Sequence, residues 1–159
     1  MKAISTVVLT TFASIAIASG PIEIKGIRLG MSQFDIQDLH GQLPLENFTI
    51  GGVPSKYRVN PDFLNGEMQS MRIFFSASGF DQVRDVVRGK YPKLDCKDRT
   101  VTNAMGAKLT QTECYLQGSD GVLSLRRFSS DISTSALSLV GNAEIARQRK
   151  ANAAADKDI

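Results

Sequence analysis

The fold is decided by residues 78–125, which read S-G-F-D-Q-V-R-D-V-V-R-G-K-Y-P (78–92), then K-L-D-C (93–96), T-E-C-Y-L (112–116) and G-V-L-S-L (121–125). The first segment repeats apolar side chains at helical spacing: Phe80, Val83, Val87 and Tyr91. It predicts a helix that has Ser78 as its N-cap and ends before Pro92. The later segments alternate apolar and polar residues, which predicts a β-hairpin followed by a further strand.

The two cysteines of the chain, Cys96 and Cys114, lie at equal distances in sequence from Met105. A three-residue loop at 104–106, with a left-handed glycine as its last residue, would place the cysteines opposite each other across the hairpin. In an oxidising compartment they would form a disulfide, whereas in the cytosol they would be two buried thiols. The C-x-x-C spacing of zinc sites and thioredoxin-like enzymes is absent.

The tip of this hairpin is the predicted interaction surface. The register that opposes the cysteines places Val101 and Leu109 together on the other face of the hairpin. Met105 at the tip is a flexible apolar side chain of the kind that anchors protein interfaces. Two alternatives stay open: Met105 folds back against the sheet, or another part of the chain covers Val101 and Leu109.

Residues 1–18 have the pattern of a secretory signal peptide. Lys2 supplies a positive start, an apolar segment follows, and Ala16-Ile17-Ala18 is a small-x-small cleavage site, so cleavage is expected after Ala18. The alternative is an uncleaved anchor or a buried strand. We therefore expect a periplasmic or secreted protein. Its mature chain has 18 basic and 16 acidic residues after Lys2 is removed from the totals of 19 and 16, and this small excess does not favour nucleic-acid binding.

The mature chain is predicted to have an α+β fold with helices packed on an antiparallel sheet. A half-buried strand is predicted at 22–29, and a helix is predicted between the cap Ser32 and Gly41. Further strands are predicted at 48–50, 56–59, 67–76, 122–128 and 136–140, the last two forming a four-stranded meander with the hairpin. Residues 142–159 are interpreted as a polar tail, helical or disordered.

The two predicted helices share their start and stop signals. Residues 19–77 and 78–141 are therefore interpreted as α/β units, either within one domain or as two tandem helix-plus-sheet units. The segment Gly30-Met31-Ser32 … Gly41-x-Leu43-Pro44 resembles the signature of SmpA/OmlA-type outer-membrane assembly lipoproteins and of the related β-lactamase-inhibitory proteins. The resemblance implies a fold of helices against an antiparallel sheet and a non-enzymatic protein that binds another protein.

On these grounds we expect an exported, non-enzymatic protein-binding protein that acts as an envelope-assembly or structural factor. The alternative is an inhibitor or immunity-type protein that blocks a secreted enzyme, and a small periplasmic hydrolase ranks third. His40, the one histidine, is interpreted as a helix-end residue that interacts with the helix dipole rather than as a catalytic base. The sequence has no metal or cofactor motif, and membrane association is expected only through the partner.

Overall fold

The computed structural model describes residues 20–102 and 105–155, with side chains up to residue 153. The predicted signal peptide at 1–18 lies outside the described residues. The elements of the described chain are, in order, β1 (Glu23–Ile24), β2 (Ile27–Arg28), α1 (Gln33–His40), β3 (Thr49–Ile50), β4 (Val53–Pro54), β5 (Asp62–Leu64), β6 (Glu67–Ser76), α2 (Phe80–Lys90), β7 (Asp95–Thr102), β8 (Lys108–Gln117), β9 (Gly121–Arg126), β10 (Thr134–Gly141) and α3 (Asn142–Ala155).

A six-stranded antiparallel sheet with the order β5-β6-β10-β9-β8-β7 is the centre of the fold. The predicted α+β class, with antiparallel sheets and one disulfide, is confirmed. Strands β7 to β10 follow one another in the sheet, and β6 extends it by pairing with β10, where Met71 opposes Leu139. The predicted boundary after residue 77 thus separates two segments that share this sheet. The division into two units stays a prediction.

One face of the sheet, here called the inner face, carries the apolar core. Directly paired residues share a face, and the pairs Leu123–Leu139 and Leu125–Leu137 place four leucines of β9 and β10 on the inner face. All four are fully buried, in the same cluster as the α2 side chains Phe80, Val83 and Val87. Helix α2 therefore covers the inner face. The opposite face of the sheet is called the outer face.

Helix α2 begins differently from the prediction. A single 3-10 turn, Ala77–Gly79, precedes it, and the Ser78 hydroxyl bonds to the Ser76 hydroxyl at 2.9 Å instead of capping the helix. The prediction that Ser78 is the N-cap is therefore wrong, because the 3-10 turn displaces this serine from the helix start. Arg127 contacts the first turn of α2: its guanidinium lies 2.7 Å from the Asp81 carboxylate and 4.7 Å from the centre of the Phe80 ring.

Helix α1 follows the prediction at both ends. Ser32 accepts the Asp35 backbone N–H, while the Asp35 carboxylate accepts the Ser32 N–H at 3.0 Å, which completes a capping box. The hydrogen bonds from Ser32 also hold the pKa of Asp35 below its usual value. Gly41 ends the helix in the left-handed conformation, with φ of 82°.

The N-terminal strands are shorter than predicted. The strand expected at 22–29 is a two-stranded hairpin, because Lys25 and Gly26 both have positive φ and turn the chain between β1 and β2. The prediction of a strand at 56–59 is also wrong: within this range only Val59 pairs, in an isolated bridge with Leu45, and β4 lies before it. Asn65-Gly66 forms a tight turn between β5 and β6, again with two positive φ angles.

The C-terminal tail is a helix, α3, in the described residues. Its early residue Glu144 is buried, while the described side chains from 146 to 153 are exposed to solvent. The helix therefore packs on the rest of the chain only near its start, where it follows β10. No helix in the described part of the chain is long and apolar enough to cross a membrane.

Candidate interaction surface

The hairpin formed by β7 and β8 has the predicted register. Cys96 opposes Cys114 and the two are joined by a disulfide, with their Cα atoms 3.9 Å apart. Gly106 has the predicted left-handed conformation, with φ of 82°, while residues 103 and 104 of the loop lie outside the described residues. Because such a bond persists where the environment is oxidising, it indicates a non-cytoplasmic compartment.

The predicted interaction residues lie on the outer face and at the tip of this hairpin. Val101 opposes Leu109, and both face away from the disulfide, as the alternation of side chains requires. Both side chains are half-buried. Met105 lies at the tip with 90% of its surface exposed. The hairpin thus presents an apolar pair on one face and an exposed apolar side chain at its end.

A carboxylate network continues this surface along the outer face of β8. Glu113 is largely buried, with 17% of its side chain exposed. Its Oε1 accepts from the guanidinium groups of Arg99 at 3.0 Å and Arg126 at 3.2 Å, and its Oε2 accepts from the Tyr115 hydroxyl at 3.2 Å. The three donors lie in three neighbouring strands, Arg99 in β7, Tyr115 in β8 and Arg126 in β9. The network therefore links these strands to one another.

The charges around Glu113 also set its protonation. Burial alone would raise the pKa of the Glu113 carboxyl, but the hydrogen bond from Arg99 and the charge of Arg126 outweigh burial and lower the pKa. Because the folded-state pKa lies below the unfolded one, the network stabilises the protein fully above the unfolded pKa. This stabilisation is lost as pH falls through the folded-state pKa.

We predict that Glu113→Gln lowers the free energy of unfolding by about 1–2 kcal/mol at neutral pH, because two arginines lose their charged acceptor. The difference from the wild type should shrink as the pH falls below the unfolded-state pKa of glutamate and through the lowered folded-state pKa of Glu113, because the wild-type carboxyl then takes up a proton. Urea unfolding at several pH values measures both effects. Glu46→Gln, which removes an exposed ion pair with Arg58, is the control and should cost less than about 1 kcal/mol. Equal losses in the two variants would contradict the role given to Glu113.

A polar depression lies beside the network in the middle of the outer face. It has a volume of about 190 Å³ and is lined mainly by arginine, tyrosine and serine: Arg72, Tyr115, Ser124, Arg126, Ser129 and Ser138. Ser138 pairs with both Arg72 and Ser124 across the sheet, so small residues form the floor between long side chains. Arg72 donates to the Ser138 hydroxyl at 3.3 Å and has no carboxylate partner among the described residues. The chemistry of the depression therefore suits a carboxylate group.

Sequence reasoning missed this depression. Of the neighbouring residues Arg126 and Arg127, the first binds Glu113 on the outer face and the second binds Asp81 of α2. However, Arg72 is brought beside them only because β6 pairs with β10. The available signal was the alternation within β6, where Met71 and Ile73 face inward and place Arg72 outward.

The described residues contain no group of three or more histidine, cysteine, aspartate or glutamate side chains able to hold a metal ion. The depression itself is lined by serines without a histidine or carboxylate to activate them. His40 lies in the last turn of α1, where its ring centre is 5.8 Å from that of Phe48. Comparison of the chain with protein-family models, with curated proteins and with solved structures finds no match.

Proposed function

We propose that the mature chain is an exported, non-enzymatic protein that binds another protein through the outer face of its disulfide hairpin. The observation that carries the proposal is the 90% exposure of Met105 at the tip of a hairpin whose outer face also bears the Val101–Leu109 pair. An exposed apolar side chain on a stapled hairpin is already ordered, so binding costs little conformational entropy. The resemblance of residues 30–44 to exported protein-binding families supports the same class.

The charges of the outer face define the partner further. The strands of the sheet carry four cations and three carboxylates on this face: Arg72, Lys97, Arg99 and Arg126 against Asp62, Asp95 and Glu113. The excess of positive charge favours an acidic partner surface. Arginine and tyrosine are also the residue types that contribute most to binding at protein interfaces. The partner would thus place an apolar pocket over Met105 and a carboxylate at Arg72.

The face, rather than the edge, of the sheet is the binding element. Strand β7 is an edge strand, and an unpaired edge can recruit a further strand. However, β7 carries the charged residues Asp95, Lys97, Asp98 and Arg99 along its exposed length. Charges of this kind discourage strand addition, which leaves the outer face and the tip for the partner.

Two kinds of partner fit this surface, and both place the protein in the periplasm or outside the cell. An envelope-assembly or structural factor would bind a membrane-associated component and would sediment with membranes through it. An inhibitor or immunity-type protein would bind a secreted enzyme. The exposure of Met105 also supports the inhibitor or immunity-type function, because a protruding apolar side chain can enter the concave active site of an enzyme.

We predict that Met105→Asp weakens partner capture by about tenfold or more, since a charge cannot occupy an apolar pocket. Its free energy of unfolding should stay within about 0.5 kcal/mol of the wild type, because the side chain is exposed. The mature chain is used as bait in envelope extract, and the captured proteins are quantified by mass spectrometry. Urea unfolding of the purified variants gives the stability.

Leu64→Asp is the matched control, since Leu64 is a 46% exposed apolar residue at the opposite end of the sheet. It should retain the proteins that the wild type captures and that Met105→Asp loses. Equal capture by all three chains would contradict the proposed surface. So would a stability loss of several kcal/mol in Met105→Asp, the scale of a buried methionine.

A further inference from the structure

A second cavity lies on the other side of the sheet, between α2 and the N-terminal hairpins. Its volume of about 410 Å³ falls within the range of about 300–1,000 Å³ that is usual for ligand pockets. Its lining is mainly apolar: Ile24 of β1, Ile50 of β3, Val86 and Val87 of α2, Tyr91 directly after α2, and Leu123 and Leu137 of the inner face. The cavity therefore lies against the apolar core, whose leucines remain fully buried beneath it.

Hydrogen bonds hold the two rims of this cavity in place. On one side the Gln82 amide of α2 donates to the Gly51 carbonyl at 2.6 Å. On the other side the Tyr91 hydroxyl accepts the Glu23 N–H at 2.8 Å and donates to the Glu23 carbonyl at 2.9 Å. Because protein interiors are normally filled to crystal density, an apolar space that is kept open favours an apolar occupant.

Gly51 at one rim shows how closely the β3–β4 turn approaches α2. A Cβ atom on Gly51 would lie 2.5 Å from the Cγ2 atom of Val86, and Gly51 has a positive φ of 57°. Glycine at this position therefore allows the β3–β4 turn to meet α2. Val86 itself is 46% exposed and forms an apolar lip at the mouth.

The mouth carries a positive charge that the chain leaves uncompensated. Lys90 pairs with Glu23 at 2.7 Å. The Lys25 ammonium lies 5.3 Å from the centre of the Phe48 ring and has no carboxylate partner in the described part of the chain. Lys25, Lys90 and Glu23 together leave one net positive charge beside an apolar cavity. This combination fits a ligand with an apolar chain and an anionic head.

We infer that the cavity binds a medium-chain fatty acid, with its carboxylate at Lys25 and its chain along Ile24, Ile50 and Val86. The site lies on the inner-face side of the sheet, so it is independent of the protein-binding surface on the outer face. The binding free energy comes from apolar contacts in the cavity, while Lys25 selects an anionic head over a neutral one.

The test is titration of the mature chain with decanoate below its micelle concentration, followed by calorimetry and by amide chemical shifts. Saturable binding of one decanoate is expected, with shifts centred on Gly51, Gly52 and Val87. Lys25→Gln should weaken decanoate about fivefold and leave 1-decanol unchanged. Val86→Asp should weaken both ligands by about tenfold or more, because it places a charge at the apolar lip. Lys108→Gln, on the hairpin, is the control and should bind as the wild type does.

Absence of saturable binding, or shifts confined to the outer face, would overturn the inference. Equal decanoate affinity in the wild type and Val86→Asp would also overturn it. If Val86→Asp does not fold, the comparison of decanoate with 1-decanol in Lys25→Gln decides, and an equal change for both ligands rejects the carboxylate site. None of these outcomes affects capture by the outer face, so the two proposals fail separately.

Discussion

Replacement of Cys96 and Cys114 by alanine is expected to lower the free energy of unfolding by about 3 kcal/mol. The bond closes a loop whose ends are 18 residues apart in sequence, and without it the unfolded chain gains conformational freedom. Few other contacts hold β7 in the folded hairpin. Strand β7 pairs only with β8, and apart from Cys96 and Val101 its side chains are exposed.

Urea unfolding of the double variant measures this loss, and reduction of the wild type with dithiothreitol should reproduce it. The control replaces Thr100 and Thr110, another directly opposed but exposed pair of the same hairpin, by alanine. It should cost less than about 1 kcal/mol. If the free energy of unfolding of the cysteine variant is within about 0.5 kcal/mol of the wild-type value, the disulfide does not stabilise the hairpin. The proposal of a preorganised tip is then wrong.

Phe80→Ala is expected to cost about 3–5 kcal/mol, the usual range for deleting a fully buried aromatic side chain. Phe80 is 0% exposed at the start of α2, in the core cluster with the inner-face leucines. Its loss would leave a cavity under the helix and would remove the ring over which Arg127 lies. The size of the stability loss in Phe80→Ala tests whether α2 packs on the inner face of the sheet. If α2 covers the inner face, the outer face is the exposed one.

Phe34→Ala provides the matched control, because the same side chain is 67% exposed on α1. Its effect should be within about 0.5 kcal/mol. Chemical denaturation of the three chains, read by circular dichroism, gives the comparison. Similar small losses in both variants would mean that α2 does not cover the inner face as described.

Local patterns predicted the parts of the fold that depend on neighbouring residues. The symmetric spacing of Cys96 and Cys114 about Met105 predicted the hairpin register, and the alternation then placed Val101 and Leu109 on the outer face. The cap at Ser32 was predicted correctly because a capping box needs only residues three apart. These features follow from short-range geometry.

The errors have equally local causes. The strand predicted at 22–29 is divided by Lys25 and Gly26, since apolar alternation continues through a two-residue turn without revealing it. Ser78 has the sequence context of a cap, but a 3-10 turn moves the helix start to Phe80. In both places the same residue pattern is compatible with the predicted and the observed conformation. The backbone torsion angles, which the pattern does not reveal, distinguish the two.

The candidate sites beyond the hairpin depend on contacts that are distant in sequence. Arg72 and Arg126 are neighbours only because β10 lies between β6 and β9. The apolar cavity requires α2 and two N-terminal hairpins to meet over the inner face. Periodicity within a segment carries no information on which strands become adjacent, so neither site could be predicted from the sequence.

The most direct test of the proposed surface is site-specific photo-crosslinking of the exported protein in intact cells. A benzophenone amino acid is placed at position 105, at the exposed tip, and in a separate chain at position 64, at the far end of the sheet. The account predicts a discrete crosslinked partner from position 105 and none from position 64. A partner that crosslinks from position 64 and not from position 105 would contradict it.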